Sequence, residues 1–517
     1  MELLSLNKSY FEIQRLRYRP DTLAFLDTIK SQHFQDSTTP PSCSQELQES
    51  LPNLCRIPDV SIFKGEATSS PPLKIGVLLS GGQAPGGHNV VIGLFDGLRA
   101  FNPKSRLFGF IKGPLGLIRG LYKDLDISKI YDYYNVGGFD MLSSSREQIT
   151  TKEQKSTILA TVKKLKLDGL LIIGGNHSNT NTAMLAEYFL EHNCSIPVIG
   201  VPKTIDGDLK NHWIETSLGF HTSCRIYSEM IGNLMKDTLS IKKYHHFVRL
   251  MGQRASYTTL ECGLQTQPNI TLISEHIAIR KLSLKQLCKH IALSLISRYR
   301  SGKNYSTMLI PEGLIKHISD TRKLIYELNL LLLKQKLPLE KLLEKLSPEA
   351  LKTFRSLPPE IAQQILTARD SYGNILVSKI STEELLATLV KKEIHKIDPQ
   401  MDFSPVAHFF GYESRAGFPS NFDSNYGIAL GIFSALFLVR KKTGYMVTIN
   451  NLAKPYKEWK GGGAPLYKMM HVEALGKTLT PKIKTDSVHP HSPALQYLLK
   501  QGEECLLNDS YRFPGPL

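Results

Sequence analysis

The sequence predicts an α/β protein whose core is a doubly wound parallel sheet. Three short apolar runs carry that prediction, at 75–79, 169–173 and 196–201. Each ends in a loop bearing glycine or aspartate, and helical periodicity fills the intervals between them. In open sheets of this kind ligands sit outside the carboxyl ends of the strands, so the three loops mark one candidate site.

Taken in order, residues 1–72 read as an N-terminal extension. It has a helix near its start, a polar stretch over 31–50, and a linker-like Ser69-Ser70-Pro71-Pro72. Strand 75–79 runs into S-G-G-Q-A-P-G-G-H-N at 80–89, whose four glycines let backbone N–H groups approach a phosphate closely. A helix over 90–98 follows, with its N-terminus facing the same point. The loop is neither G-x-G-x-x-G nor Walker A. The near miss to the latter, Gly476-Lys477-Thr478, has His471 where the first glycine belongs. A second glycine-rich turn at 113–120 precedes G-G-F-D at 137–140, and then Ser143-Ser144-Ser145-Arg146, an arginine beside three hydroxyls that suits a phosphate. Strand 169–173 ends in G-G-N-H-S-N. The helix after it, capped by Asn179 or Ser178, sets Met184, Leu185, Tyr188 and Phe189 on one face.

The third strand stops at Pro202, and Lys203, Thr204, Asp206 and Asp208 come directly after. A lysine neutralises anionic oxygens, one carboxylate accepts a hydroxyl proton, and a second helps hold a metal. A solvated turn uses the same residue types. The repetition of strand, loop and helix favours the functional reading.

A chain of 517 residues predicts two or three domains. Its 63 basic against 47 acidic side chains give a net charge of +16, which favours anionic partners. The lysines are spread along the chain, without a basic arm, a helix-turn-helix or an RRM-type motif, so no nucleic acid is expected. The start lacks the apolar core of a signal peptide, and the longest apolar run, 427–439, is too short to span a bilayer. We therefore expect no membrane association and a cytoplasmic protein. Seven cysteines, an odd number without a CxxC pair, suit reduced thiols better than a disulfide frame or a zinc site.

The motifs at 80–89, P-K-T-I-D-G-D-L-K-N at 202–211, L-M-G-Q-R-A-S at 250–256, I-P-E-G at 310–313 and G-Y-E-S-R at 411–415 together resemble the phosphofructokinases. The resemblance is to the long, diphosphate-dependent branch, and it runs from Lys74 to Met470, including a G-G-G-A-P-L loop at 461–466. It implies two Rossmann-like domains with an active-site cleft between them, plus a helical insertion and the N-terminal extension. The expected layout is a diphosphate domain over 73–215, a fructose 6-phosphate domain over 216–314 and 398–460, and the insertion over 315–397. A C-terminal segment, 461–517, is expected to return to the first domain.

The activity so implied is reversible phosphoryl transfer from diphosphate to the C1 hydroxyl of fructose 6-phosphate, with Mg²⁺ as cofactor. On the resemblance Gly82 and Arg146 would meet diphosphate, and Asp206 would be the general base. Thr204, Ile205 and Asp206 would line the sugar site with Met251, Gly252, Gln253 and Glu312. The G-Y-E-S-R residues Tyr412, Glu413, Ser414 and Arg415 would address the sugar and its 6-phosphate. Lys243 and Tyr244 would reach the substrate of a neighbouring subunit, in a homo-oligomer such as a dimer or in a hetero-oligomer with a paralogous subunit. Lys203 together with a bulky His177 marks diphosphate as donor, since ATP users carry glycine at 177 and usually lack the lysine.

Three positions depart from the family pattern. Asn176 stands where a magnesium-linked carboxylate is expected, leaving Asp208 as a possible metal ligand. His177 replaces a second acid, and Gln253 replaces an arginine. Because Arg254 would point to the opposite face of a strand, it would not substitute for that arginine. Two readings stay open: a working enzyme that has drifted, or a subunit that binds sugar phosphate but transfers phosphate weakly or not at all. An ATP-dependent enzyme is a third.

Within the insertion, Leu324, Leu328, Leu331 and Leu332 recur at helical spacing before a break at Pro338. Ser347-Pro348 reads as N-cap and first turn, and Ser381 with Glu384 as a capping box. A helix over 426–437, a strand over 444–449 and a polar tail complete the chain.

Overall fold

The computed structural model describes residues 9–334, 339–369, 374–475 and 478–515. The chain forms two compact units, Met1–Ser223 with Ser414–Asp486, and Cys224–Glu413 with Ser487–Leu517. In chain order the strands of the two main sheets are β1 (Lys74–Leu79), β2 (Arg106–Phe110), β3 (Tyr122–Leu125), β4 (Gly169–Gly174), β5 (Val198–Pro202), β6 (His245–Leu250), β7 (Ile270–Thr271), β8 (Ser306–Pro311), β9 (Pro405–Phe410), β10 (Tyr445–Asn450) and β11 (Lys460–Pro465). The helices that bear on the site are α1 (Gly87–Phe101), α2 (Asn176–Glu191), α3 (Thr382–Ile397) and α4 (Asn421–Val439).

In the first unit the strand order is β11-β10-β5-β4-β1-β2-β3. Strands β2, β1, β4 and β5 are mutually parallel, while β3 and β11 are antiparallel edges. The strands read as unbroken apolar runs because both faces are covered. Ile75, Val77 and Leu79 face the core that holds α1 and α4, and Leu78 faces the one that holds Leu185 and Phe189. From β1 the chain moves out to β2 on one side and later returns to β4 on the other. The β1–β4 boundary is therefore the topological switch point, where such sheets open a crevice.

Helix α4 is longer than the expected 426–437. Its length and composition would suffice to cross a membrane, but 89% of its apolar window is buried. Glycines let α1 approach it: a Cβ on Gly431 would collide with the Val90 carbonyl, and one on Gly93 with that of Ile428.

The second unit carries four parallel strands in the order β9-β6-β8-β7. Its core joins Phe247 and Met308 of the sheet to Leu324 and Leu328 of the helix Ser319–Lys334, and to Leu385 and Leu386 of α3. Pro338 lies outside the described residues. Ser347 caps the helix Pro348–Ser356, with its hydroxyl accepting from the Ala350 N–H at 3.3 Å.

Several expectations are corrected. Residues 414–460 belong to the first unit, because α4 fills its core and β10 extends its sheet. Residues 487–517 belong to the second, where Asp509 pairs with the buried Arg298 and accepts from Tyr305 Oη at 2.8 Å. Residues Gly113–Arg119 form a helix rather than a turn, and the expected 461–466 loop is mostly strand β11. Ser381 forms no capping box, since its N–H donates to Gln364 Oε1 at 2.8 Å. Cys43 and Cys55 form a disulfide, against the expectation of reduced thiols. The helix Gln45–Ser50 turns the chain back and brings their Cα atoms to 5.8 Å. The other five cysteines are free and buried.

Candidate active site

The carboxyl ends of β1, β4 and β5 build one cluster. Beyond β1 the chain turns at Gly81, with φ +82°, and its N–H donates to the Ser145 carbonyl at 2.9 Å. That bond brings the Ser143–Arg146 segment alongside the glycine loop, and Ser144 Oγ donates to the Gly81 carbonyl at 2.6 Å. His88 and Asn89 of the same motif hold the wall opposite. The buried His88 accepts from the Met141 N–H at 3.4 Å and faces the Val136 carbonyl at 3.2 Å, and burial lowers its pKa to about 4, so the ring is neutral. Asn89 Nδ2 donates to Asn135 Oδ1 at 2.8 Å. The result is a cavity of about 660 Å³ whose lining includes Gly81, Gly138, Phe139, Ser144, Arg146 and Arg415.

Lys203 enters from the end of β5. It is 3% exposed, and its Nζ donates to the Gly82 carbonyl at 2.5 Å and lies 5.5 Å from the Phe139 ring centroid. Burial, then the charges of Arg415 and Arg146, push its pKa down to about 7 against the opposing pull of Asp206 and Asp208. No ion pair joins Lys203 among the described residues. A Cβ on Gly82 would sit 3.3 Å from Arg415 Nη2 and 3.9 Å from Arg146 Nη2, so the glycine leaves room for two guanidinium groups over the loop. Cations, backbone and hydroxyls converging on one cavity suit a compact, highly charged anion.

After Lys203 the loop turns through Thr204, whose hydroxyl accepts from the Asp206 N–H at 3.2 Å, and through Gly207 at φ +73°. Ile205 and Asp208 are buried and Asp206 is half-buried. Helix α2 begins at Asn176, one turn earlier than expected. Ser178 and Asn179 therefore lie inside its first turn, where Ser178 donates to Ser80 Oγ at 2.7 Å and Asn179 to the Gly174 carbonyl at 2.7 Å. His177 is exposed on that turn. The Asn176 amide nitrogen donates to Asp208 Oδ2 at 3.1 Å and to Thr485 Oγ1 at 3.0 Å. A nitrogen, not an oxygen, faces the carboxylate, so these two residues do not fit a metal ion held between them.

In the second unit, the carboxyl ends of β6, β8 and β9 are adjacent. Met251 N–H donates to the Phe410 carbonyl at 3.1 Å. Gly252 N–H donates to Glu312 Oε2 at 2.9 Å, and Glu312 is 1% exposed. Gly252 adopts φ +142°, so the segment leaves the strand at this point. Gln253 and Arg254 thus sit in a bend, and the strand alternation expected of them does not apply. Gln253 is half-buried and Arg254 exposed. Gly313 backs onto the Gln253 carbonyl, where a Cβ would clash. Tyr412 is 61% exposed, and Glu413 accepts from the Gly411 N–H at 2.7 Å. Lys243 and Tyr244 precede β6, with the ammonium 5.7 Å from the ring centroid.

The expected residues therefore gather in two groups, one on each unit. Ser414 and Arg415 belong to the first, and Arg415, expected at the sugar 6-phosphate, lines the same cavity as Arg146. Sequence reasoning named Ser178 only as a helix cap and did not name Thr485. Thr485 lies 309 residues from Asn176 and in no motif, so no local signal marks it.

The phosphofructokinase family profile matches residues 74–438. A pyrophosphate–fructose 6-phosphate 1-phosphotransferase of Porphyromonas gingivalis is 41% identical over 99% of this chain and 95% of its own. A protein of Arabidopsis thaliana named as subunit beta 2 of the same enzyme is 44% identical over 98% of this chain and 91% of its own. Among solved structures, a pyrophosphate-dependent phosphofructokinase of Nitrosospira multiformis aligns with a TM-score of 0.56 at 16% identity, covering 85% of this chain and 93% of that one.

Proposed function

The chain belongs to the phosphofructokinase family, and from that premise we propose how its residues act on diphosphate and fructose 6-phosphate. It is a diphosphate-dependent phosphofructokinase, a phosphotransferase with an alcohol as acceptor. The reaction is reversible transfer of a phosphoryl group to the C1 hydroxyl of fructose 6-phosphate, giving fructose 1,6-bisphosphate and phosphate. The observation that carries the donor assignment is Lys203, a buried amine among two arginines and without an ion pair among the described residues. Such a group calls for an anion, and a bare diphosphate supplies it.

Diphosphate lies against Gly81, Gly82 and the Ser143–Arg146 segment, with Arg146, Arg415 and the protonated Lys203 on its oxygens. Asp206 takes the C1 hydroxyl proton as the new C1–O–P bond forms, the bridging P–O bond breaks, and inorganic phosphate departs. A carboxylate is a weak base for an alcohol, so proton loss accompanies phosphoryl transfer, and catalysis rests mainly on position and charge. The sugar is assigned to Thr204 and Ile205, which follow Lys203 in the same loop as Asp206. When bound, Mg²⁺ neutralises phosphoryl oxygens. We assign it to the diphosphate complex rather than to Asn176. An assembly of subunits belongs to the same proposal, supported by the beta-subunit name of a plant relative; on the resemblance Lys243 and Tyr244 would reach the neighbouring subunit.

A coupled assay of the purified chain with fructose 6-phosphate, Mg²⁺ and either diphosphate or ATP tests the reading. Turnover is expected with diphosphate and not with ATP, and Asp206→Ala is expected to lower kcat by about 10²–10⁴. No turnover with diphosphate, alongside measurable fructose 6-phosphate binding, would overturn it.

A further inference from the structure

The segment joining the small hairpin Met470–Leu475/Thr478–Ile483 to residue 486 runs along the start of α2. Ile483 N–H donates to Thr180 Oγ1 at 3.0 Å, Thr485 Oγ1 accepts from Asn176, and Asp486 N–H donates to the Asp208 carbonyl at 2.8 Å. Asn176 and Asp208 are 6% and 3% exposed. A carboxylate this buried must be met by N–H groups or by a cation. Here the Asn176 amide meets it. Its second N–H goes to Thr485, and its Oδ1 is buried without a hydrogen-bond partner among the described residues. Turning the amide over would set Oδ1 against the carboxylate, acceptor against acceptor, and would lose that hydrogen bond, whereas the Thr485 hydroxyl could serve either orientation. The Asp208 carboxylate therefore fixes the orientation of the amide.

Resting on the function proposed above, we propose that the Asn176 amide takes the place of a divalent cation at Asp208. The resting protein satisfies this carboxylate with hydrogen bonds, and the Mg²⁺ used in phosphoryl transfer enters with diphosphate instead of being held beforehand. An aspartate at 176 would reverse the arrangement. Two carboxylates about 3 Å apart in a buried site cannot both ionise unless a cation lies between them.

The test measures Mn²⁺ binding to the full-length protein without diphosphate, by the loss of the free-ion electron paramagnetic resonance signal. The wild type and Asp208→Asn are expected to bind Mn²⁺ equally weakly. Asn176→Asp is expected to gain a site about tenfold tighter or more, and the gain should vanish when Asp208→Asn is added. A wild-type site that Asp208→Asn weakens about tenfold would overturn the proposal, and that comparison does not depend on Asn176→Asp folding. Folded Asn176→Asp protein, checked by circular dichroism, that gains no Mn²⁺ site would also overturn it. Because the readout is cation binding rather than turnover, failure here is distinct from failure of the diphosphate-dependent activity.

Discussion

Lys203 makes the function measurable as a proton count. A free lysine titrates near 10.4, whereas here burial and two arginines push the value down to about 7. A difference of about three units is on the order of 4 kcal/mol of unfavourable surroundings, which a bound anion would remove. The folded pKa lies below the unfolded one, so between pH 7 and about 10 the unfolded chain binds more protons. This group's penalty on stability is full below pH 7 and is relieved as pH rises through that window. Binding runs the other way. Diphosphate restores the charge, so at pH 8.5 the Lys203 amine of the free protein is nearly all neutral and takes up close to one proton on binding. Affinity should then fall by up to about tenfold per pH unit above 7. Calorimetric titration with diphosphate at pH 6 and 8.5, in two buffers of different ionisation enthalpy, reads the uptake. The extra proton at pH 8.5 should be absent in Lys203→Met. Equal uptake in that variant, or none in the wild type at pH 8.5, would refute the assignment of Lys203 as the pocket's titrating cation.

Two further substitutions separate packing from binding. Gly431→Ala drives a methyl into the Val90 carbonyl and to 2.5 Å from the Leu94 nitrogen, and is expected to cost about 3 kcal/mol in chemical denaturation; an unchanged midpoint would contradict the α1–α4 contact. Gly82→Val would displace the Arg146 and Arg415 guanidinium groups, raising KM for diphosphate about tenfold, while KM for fructose 6-phosphate moves less than about twofold. Equal changes in both would place Arg146 and Arg415 elsewhere.

Much of the site was legible because it follows strand ends. Gly81, Gly82, Asn176, Lys203 and Asp206 each come directly after an apolar run, and a run buried on both faces is hard to mistake. Cap and turn details were less legible. Helix α2 starts at Asn176 because Asn179 spends its amide on the Gly174 carbonyl, which leaves Gly175 as the cap. Gln253 and Arg254 were misplaced because alternation was carried past Leu250, where Gly252 turns the chain out of the strand.

By itself the sequence determined the strand–loop–helix rhythm, which is local in the chain, while diphosphate as donor came from the resemblance of its motifs to a family. The tertiary structure alone decided that 414–460 completes the first unit, that Arg415 joins Arg146, that Cys43 meets Cys55, and that Thr485 meets Asn176. Each of these is a meeting of segments distant in sequence or turned back by a helix, and apolar periodicity specifies which face of an element is buried without specifying what it is buried against.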